Sequence, residues 1–268
     1  RVAPESGPGV KPLNEKSEMK LRINKILLAS GMLLTLTTQS ASAAIALDRT
    51  RVVYDGNQKS ISLNVSNENK QLPYLAQGWI EDAKGNKVTS PLTVLPPVQR
   101  IEPGAKSQVK VQGLPAVSSL PQDRESLFYF NMREIPPRAD KPNTLQIALQ
   151  TRIKMFYRPA ALMNSSGAMD TPWQEKVTLN KQGGHYMANN PTPYYVTLVD
   201  GSSKVKGESA KGFEPLMLEP FGTGALSLGV SELGDSPVLT YINDYGGRPQ
   251  LKFTCRGSSC SAEPVKNH

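Results

Sequence analysis

The chain has 268 residues, with 31 Lys and Arg against 23 Asp and Glu, a formal charge of +8, two cysteines and two histidines. The basic excess is spread out, and with six basic and three acidic side chains in residues 1–43 the remainder carries +5. Nucleic-acid binding needs a denser stripe of Lys and Arg and is excluded as a class, whereas anionic groups on a protein partner suit this balance.

Residues 1–18 are rich in Pro, Gly and charge, precede Met19, and read as upstream sequence translated in frame. Met19 opens an export signal over residues 19–43: Lys20, Arg22 and Lys25 form the charged start, "ILLASGMLLTL" the apolar middle and "ASA" at 41–43 the small-residue cleavage site. The apolar run is too short to cross a bilayer. Cleavage after Ala43 leaves 225 residues, an exported protein without a membrane span.

From residue 45 the chain breaks into short alternating segments punctuated by Pro, Gly and Asn: "ISLNVSN", "LPYLAQGWIED", "SQVKVQGL" and "SLFYFNMREI" predict strands. The next, "TLQIALQTRIKMFYRP" at 144–159, is longer than an average strand. Leu145, Ile147, Leu149, Ile153, Met155 and Tyr157 share one face, interrupted by Thr151, while Gln146, Gln150, Arg152, Lys154 and Arg158 share the other. Inside a sheet this is a core strand; at an edge its apolar row is an aggregation hazard.

"PAALMNSSGAMDTP" at 159–172 is the expected junction, after which "EKVTLNK", "PYYVTLVD", "PVLTYINDY" and "QLKFTC" predict a second set of strands. No long helical pattern appears. Turn-punctuated strands describe antiparallel sandwiches, and the exported length is about twice one immunoglobulin-type unit of ~100 residues. The expectation is therefore an all-β protein of two immunoglobulin-like β-sandwich domains, residues 44–162 and 163–268.

Cys255 and Cys260 flank turn residues in "FTCRGSSCSA", which in an oxidising compartment reads as a hairpin disulfide. Two cysteines cannot complete a zinc shell, and His185 and His268 lie in a turn and at the terminus, so no metal is expected. There is no G-x-S-x-G, P-loop or H-E-x-x-H motif, and the Gly222–Gly224 segment lacks the context that phosphate binding needs. Neither an enzyme nor a cofactor is implied.

Longer runs are more specific. "LDRTRVVYDG" at 47–56, "NKQLPYLAQGWIE" at 69–81, "PPVQRIEPGAKS" at 96–107, "LPQDRESLFYFNMREIPPR" at 120–138, "LQIALQTRIKMFYRPAAL" at 145–162 and "YINDYGGRP" at 241–249 closely resemble PapD-like periplasmic pilus chaperones, over nearly all of the exported chain. The resemblance implies a boomerang of two immunoglobulin-like domains that captures pilin subunits in the periplasm, caps them by donor-strand complementation and delivers them to an outer-membrane usher. It implies that Leu145, Ile147 and Leu149 form the donor strand and that Arg51 and Lys154 anchor the subunit's C-terminal carboxylate. Glu125, Arg158 and Asp244 match an interdomain salt-bridge network. Only "RADKPN" separates "FNMREIPP" from "TLQIALQ", and the cysteines do not flank that loop, which resembles the short-loop subclass that assembles rod-like pili. A free chaperone of this kind could cap itself as a small oligomer. The alternative is an exported adhesive or structural pilus subunit, which should carry an alternating apolar N-terminal extension and an incomplete fold.

Overall fold

The computed structural model describes residues 43–166 and 171–265; the expected upstream segment and export signal, residues 1–18 and 19–43, lie outside the described residues apart from Ala43. The first unit contains β1 (Ile45–Leu47), β2 (Arg51–Asp55), β3 (Ser60–Asn67), β4 (Tyr74–Asp82), β5 (Lys87–Val88), β6 (Leu92–Leu95), β7 (Val98–Ile101), β8 (Lys106–Gly113), β9 (Ser126–Ile135) and β10 (Gln150–Arg158). One sheet runs β1-β3-β8-β6; the other runs β2-β10-β9-β4-β5, with β7 also on β4.

Period-two alternation sends every second side chain inward. Leu63 and Val65 of β3 and Val109 and Val111 of β8 thus meet Phe130 of β9 and Met155 of β10 in one core. Pairing is antiparallel throughout the first unit except between β10 and β2, where Lys154 to Arg158 lie opposite Arg51 to Asp55.

Helix α1 (Ala160–Ser166) follows β10, so the expected junction begins as a short helix. The Tyr194 hydroxyl donates to the Leu162 carbonyl at 2.8 Å and ties this helix to the second unit. That unit contains β11 (Thr178–Gln182), β12 (His185–Asn189), β13 (Val196–Ser202), β14 (Leu216–Leu218), β15 (Thr223–Gly229), α2 (Val230–Leu233), β16 (Val238–Tyr241), β17 (Gln250–Arg256) and β18 (Ser259–Pro264). Its strands run in the order β14-β13-β16-β17-β18-β11-β12-β15 as one sheet. The end strands β14 and β15 come together, so the sheet is rolled into two layers around a core that includes Leu179, Tyr186, Leu198, Leu239 and Phe253.

Cys255 and Cys260 are direct cross-strand partners on β17 and β18 and are joined by a disulfide. The two-residue turn between the strands puts Gly257 at φ 64°, a conformation that glycine adopts without steric cost.

The long strand expected over 144–159 forms only from Gln150 onward. The register explains why. Gln150 lies opposite Arg133, and the Glu134 amide donates to the Leu149 carbonyl at 3.0 Å. Continuing that register sets Ile147 and Gln146 opposite Pro136 and Pro137, which have no N–H to offer a ladder. Residues 144–149 therefore leave the sheet as an arm, with the Gln146 side chain donating to the Pro137 carbonyl at 2.7 Å.

Candidate functional site

Along the segment Leu145 to Arg158 the environment changes in three steps. In the arm, Leu145 and Ile147 are 86% and 68% exposed, while Leu149 is half-buried. Gln150 to Ile153 pair with β9 on one side and with no strand on the other among the described residues. From Lys154 onward β2 covers that second side, and Met155 is fully buried. The chain thus presents apolar side chains on an open edge that ends where two cations begin.

Those cations are Arg51 and Lys154, opposite each other in the parallel register of β2 and β10. Arg51 is buried, and its Nη1 donates to the Ile242 carbonyl of the second unit at 3.3 Å. Its Nε, shielded from water, has no acceptor among the described residues. Its guanidinium lies 5.9 Å from the centre of the Phe156 ring. Burial lowers the pKa of Arg51, against the attraction of Asp244 and Glu125. Burial also lowers that of Lys154, and the neighbouring Arg51 charge lowers it further. Neither cation is in an ion pair among the described residues. An anion placed between them relieves the repulsion, and a carboxylate matches both an Arg fork and a Lys point charge.

The other end of β10 is closed. Arg158 Nε donates to Glu125 Oε1 at 2.8 Å, and Nη1 and Nη2 fork onto the Asp244 carboxylate at 2.8 and 3.1 Å. The guanidinium sits 4.9 and 5.0 Å from the ring centres of Trp173 and Tyr194. Glu125 Oε2 accepts from the Tyr195 amide at 2.7 Å. Glu125 and Arg158 thus belong to the first unit, and their partners Asp244, Trp173, Tyr194 and Tyr195 to the second. Burial pushes the Glu125 carboxyl up to about 7, although Arg158 and the Tyr195 amide favour its charged form. Burial opposes the Arg158 charge, but its bonds to Asp244 and Glu125 prevail and raise its pKa.

Two glycines set the backbone of this region. The Gly56 amide donates to the Arg158 carbonyl at 2.8 Å, and a Cβ at position 56 would lie 2.7 Å from that oxygen. Gly246, at φ 83°, abuts Thr50, where a Cβ would meet Oγ1 at 2.7 Å. In the same turn Asn243 Oδ1 accepts from the amides of Tyr245 and Gly247, which holds Asp244 in place.

The structure brings Arg51 beside Lys154, joins Glu125, Arg158 and Asp244 in one network, and puts Leu145, Ile147 and Leu149 on one arm. Sequence reasoning missed the aromatic walls Trp173, Tyr194, Tyr195 and Phe156. "TPYYV" and "FYRP" did carry adjacent aromatics, but periodicity assigns those to a core. It also missed Glu134, treated below. Among the described residues no cluster of His, Cys, Asp or Glu is placed to hold a metal ion, and no helix is long and apolar enough to cross a membrane.

An open strand edge with an exposed apolar arm, on one of two immunoglobulin-like units and ending at two cations without an ion pair among the described residues, is the kind of surface that strand addition requires. Residues 44–163 match the family of pili and flagellar-assembly chaperones through the PapD N-terminal domain, and residues 172–253 match the pili assembly chaperone PapD C-terminal domain. The chain is 55% identical to the probable fimbrial chaperone YfcS of Escherichia coli strain K12, over 87% of this chain and 91% of that protein. It is 52% identical to the chaperone protein PapD of Escherichia coli, over 90% and 98%. The solved periplasmic chaperone SfaE shares the fold with a TM-score of 0.60 and 30% identity, covering 78% of this chain and 98% of that one. The chain belongs to the PapD-like family of fimbrial chaperones, a family of assembly factors, and the pilus-subunit alternative is not favoured.

Proposed function

We propose that this protein is a periplasmic chaperone that captures pilin subunits by lending them the arm 145–149 and anchoring their C-terminal carboxylate on Arg51 and Lys154. The observation that carries this reading is the arm: Leu145 and Ile147 stand in water on an edge with no strand beside it among the described residues, next to buried Arg51 and half-buried Lys154, neither of which is in an ion pair there. Exposed apolar edges are ordinarily suppressed, and this one is kept because a partner covers it. Chaperone–pilin complementation is itself a standing example of strand addition. Each of Leu145 and Ile147, if fully buried in a subunit groove, contributes about 1.5–3 kcal/mol.

In this reading Glu125, Arg158 and Asp244 hold the two domains, residues 44–162 and 163–268, at a working angle. Delivery to an outer-membrane usher, self-capping when free, removal of the export signal and membership of the short-loop subclass belong to the same proposal. The last rests on the short "RADKPN" spacer and on a disulfide placed in the second unit.

The test uses a peptide copied from the C-terminus of a pilin encoded beside the gene, with a free carboxylate and as the amide. Amidation should weaken binding to wild type about tenfold or more, the scale of one charge-assisted bond. It should have little effect on the already weak binding of the Arg51→Ala, Lys154→Ala double variant. Equal weakening in both proteins would place the carboxylate elsewhere.

A further inference from the structure

Glu134 is a buried carboxylate at the open end of the first unit's core, outside the anchor and the interdomain network. Its Oε2 accepts from the Ile45 amide at 3.0 Å, and its Oε1 from the Leu149 amide at 3.4 Å. Ile45 opens β1 in one sheet; Glu134 sits on β9 in the other; Leu149 is the root of the arm. The side chain therefore bridges both layers where the arm departs. It has no cation partner among the described residues, so backbone amides alone satisfy it. A carboxylate accepts through two oxygens and donates nothing, and releasing either amide leaves a buried oxygen short of a partner.

The prolines beyond it make this contact decisive. Pro136 and Pro137 offer no N–H to the arm beyond Leu149, so Leu149 is the last residue of the segment that a backbone ladder bond holds to β9. Glu134 grips it twice, by backbone amide to carbonyl and by side chain to amide.

We propose that Glu134 is a positioning residue that latches the arm's root to the first strand. The latch sets Leu145, Ile147 and Leu149 at a fixed register from Lys154 before a pilin arrives. This rests on the strand-lending reading above. Without the latch the root can slide or fray, and the apolar row and the carboxylate anchor no longer engage one subunit together.

Amide exchange of the free protein and capture of the pilin encoded beside the gene are measured for wild type, Glu134→Gln and Glu134→Ala, with Ile147→Glu as a capture control. Glu134→Ala should speed exchange at Leu149 and Ile45 about tenfold, as expected for losing a bond to a charged group, with Phe130 and Val111 protected as in wild type. Capture should fall in parallel, and Glu134→Gln, which keeps one acceptor oxygen and the side-chain shape, should recover part of both. Unchanged exchange at Leu149 in Glu134→Ala would overturn the latch, and so would faster exchange with undiminished capture. If Ile147→Glu captures like wild type, strand lending itself fails, and exchange at Leu149 and Ile45 then decides the latch alone.

Discussion

Residues 145–149 and 153–157 carry the same alternation of apolar and polar side chains, yet one stretch stands in water and the other fills a core. Ile147 is 68% exposed and Met155 is not exposed at all. What separates them is what lies alongside. The inner stretch has β9 on one side and β2 joining on the other, while the outer stretch meets Pro136 and Pro137 on one side and no strand on the other among the described residues. Neighbours rather than pattern decide which half of one segment serves the fold and which half is free for a partner.

The sharpest way to break this contrast is at its closed end. Arg158→Ala strands Glu125 in a buried site and frees Asp244, and should cost about 3–5 kcal/mol in denaturant unfolding. It should also loosen the two units from each other. A loss near zero would mean that the network is incidental to the closed end.

Met155→Ala should cost about 2–5 kcal/mol by leaving a core cavity. Ile147→Ala should lie within about 0.5 kcal/mol of wild type in the free protein, while lowering pilin capture. Equal stability losses would erase the distinction between the halves.

The pH dependence tests the closed end more gently. The folded value of Glu125, about 7, exceeds its ordinary value of 4.5. The folded state therefore holds the proton more tightly. The contribution of this carboxyl to stability is full below the ordinary value, declines from pH 4.5 to 7 and is gone above that. The difference between wild type and Glu125→Gln should shift over this window by up to about 3 kcal/mol. A flat difference would show that the carboxyl is less buried than its surroundings indicate.

Much of this was legible in the chain itself. Strand alternation and turn residues announced two sandwiches, and the cysteine spacing announced a hairpin bridge. The motifs nominated Arg51, Lys154, Glu125, Arg158 and Asp244. Less legible was where the long strand stops, because periodicity describes faces and says nothing about a missing neighbour. The cause was nevertheless present in "REIPPR", once the register aligned Pro136 and Pro137 with the arm. Glu134 was invisible for another reason. A glutamate at the end of an apolar strand reads as solvent-facing, and only the fold brings Ile45 and Leu149 from distant parts of the chain to its two oxygens. The aromatic walls around Arg158 likewise come from residues more than a dozen positions away.

The most direct measurement is amide exchange across residues 144–150, in the protein alone and in its complex with the pilin encoded beside the gene. Lending the arm to a subunit converts its open edge into a paired strand. Amides that exchange freely beforehand should then be protected by about a hundredfold or more, with the amides of Met155 and Tyr157 unchanged. A stable complex in which residues 144–150 exchange as fast as in the free protein would contradict the account, because the subunit would then be held by some other surface.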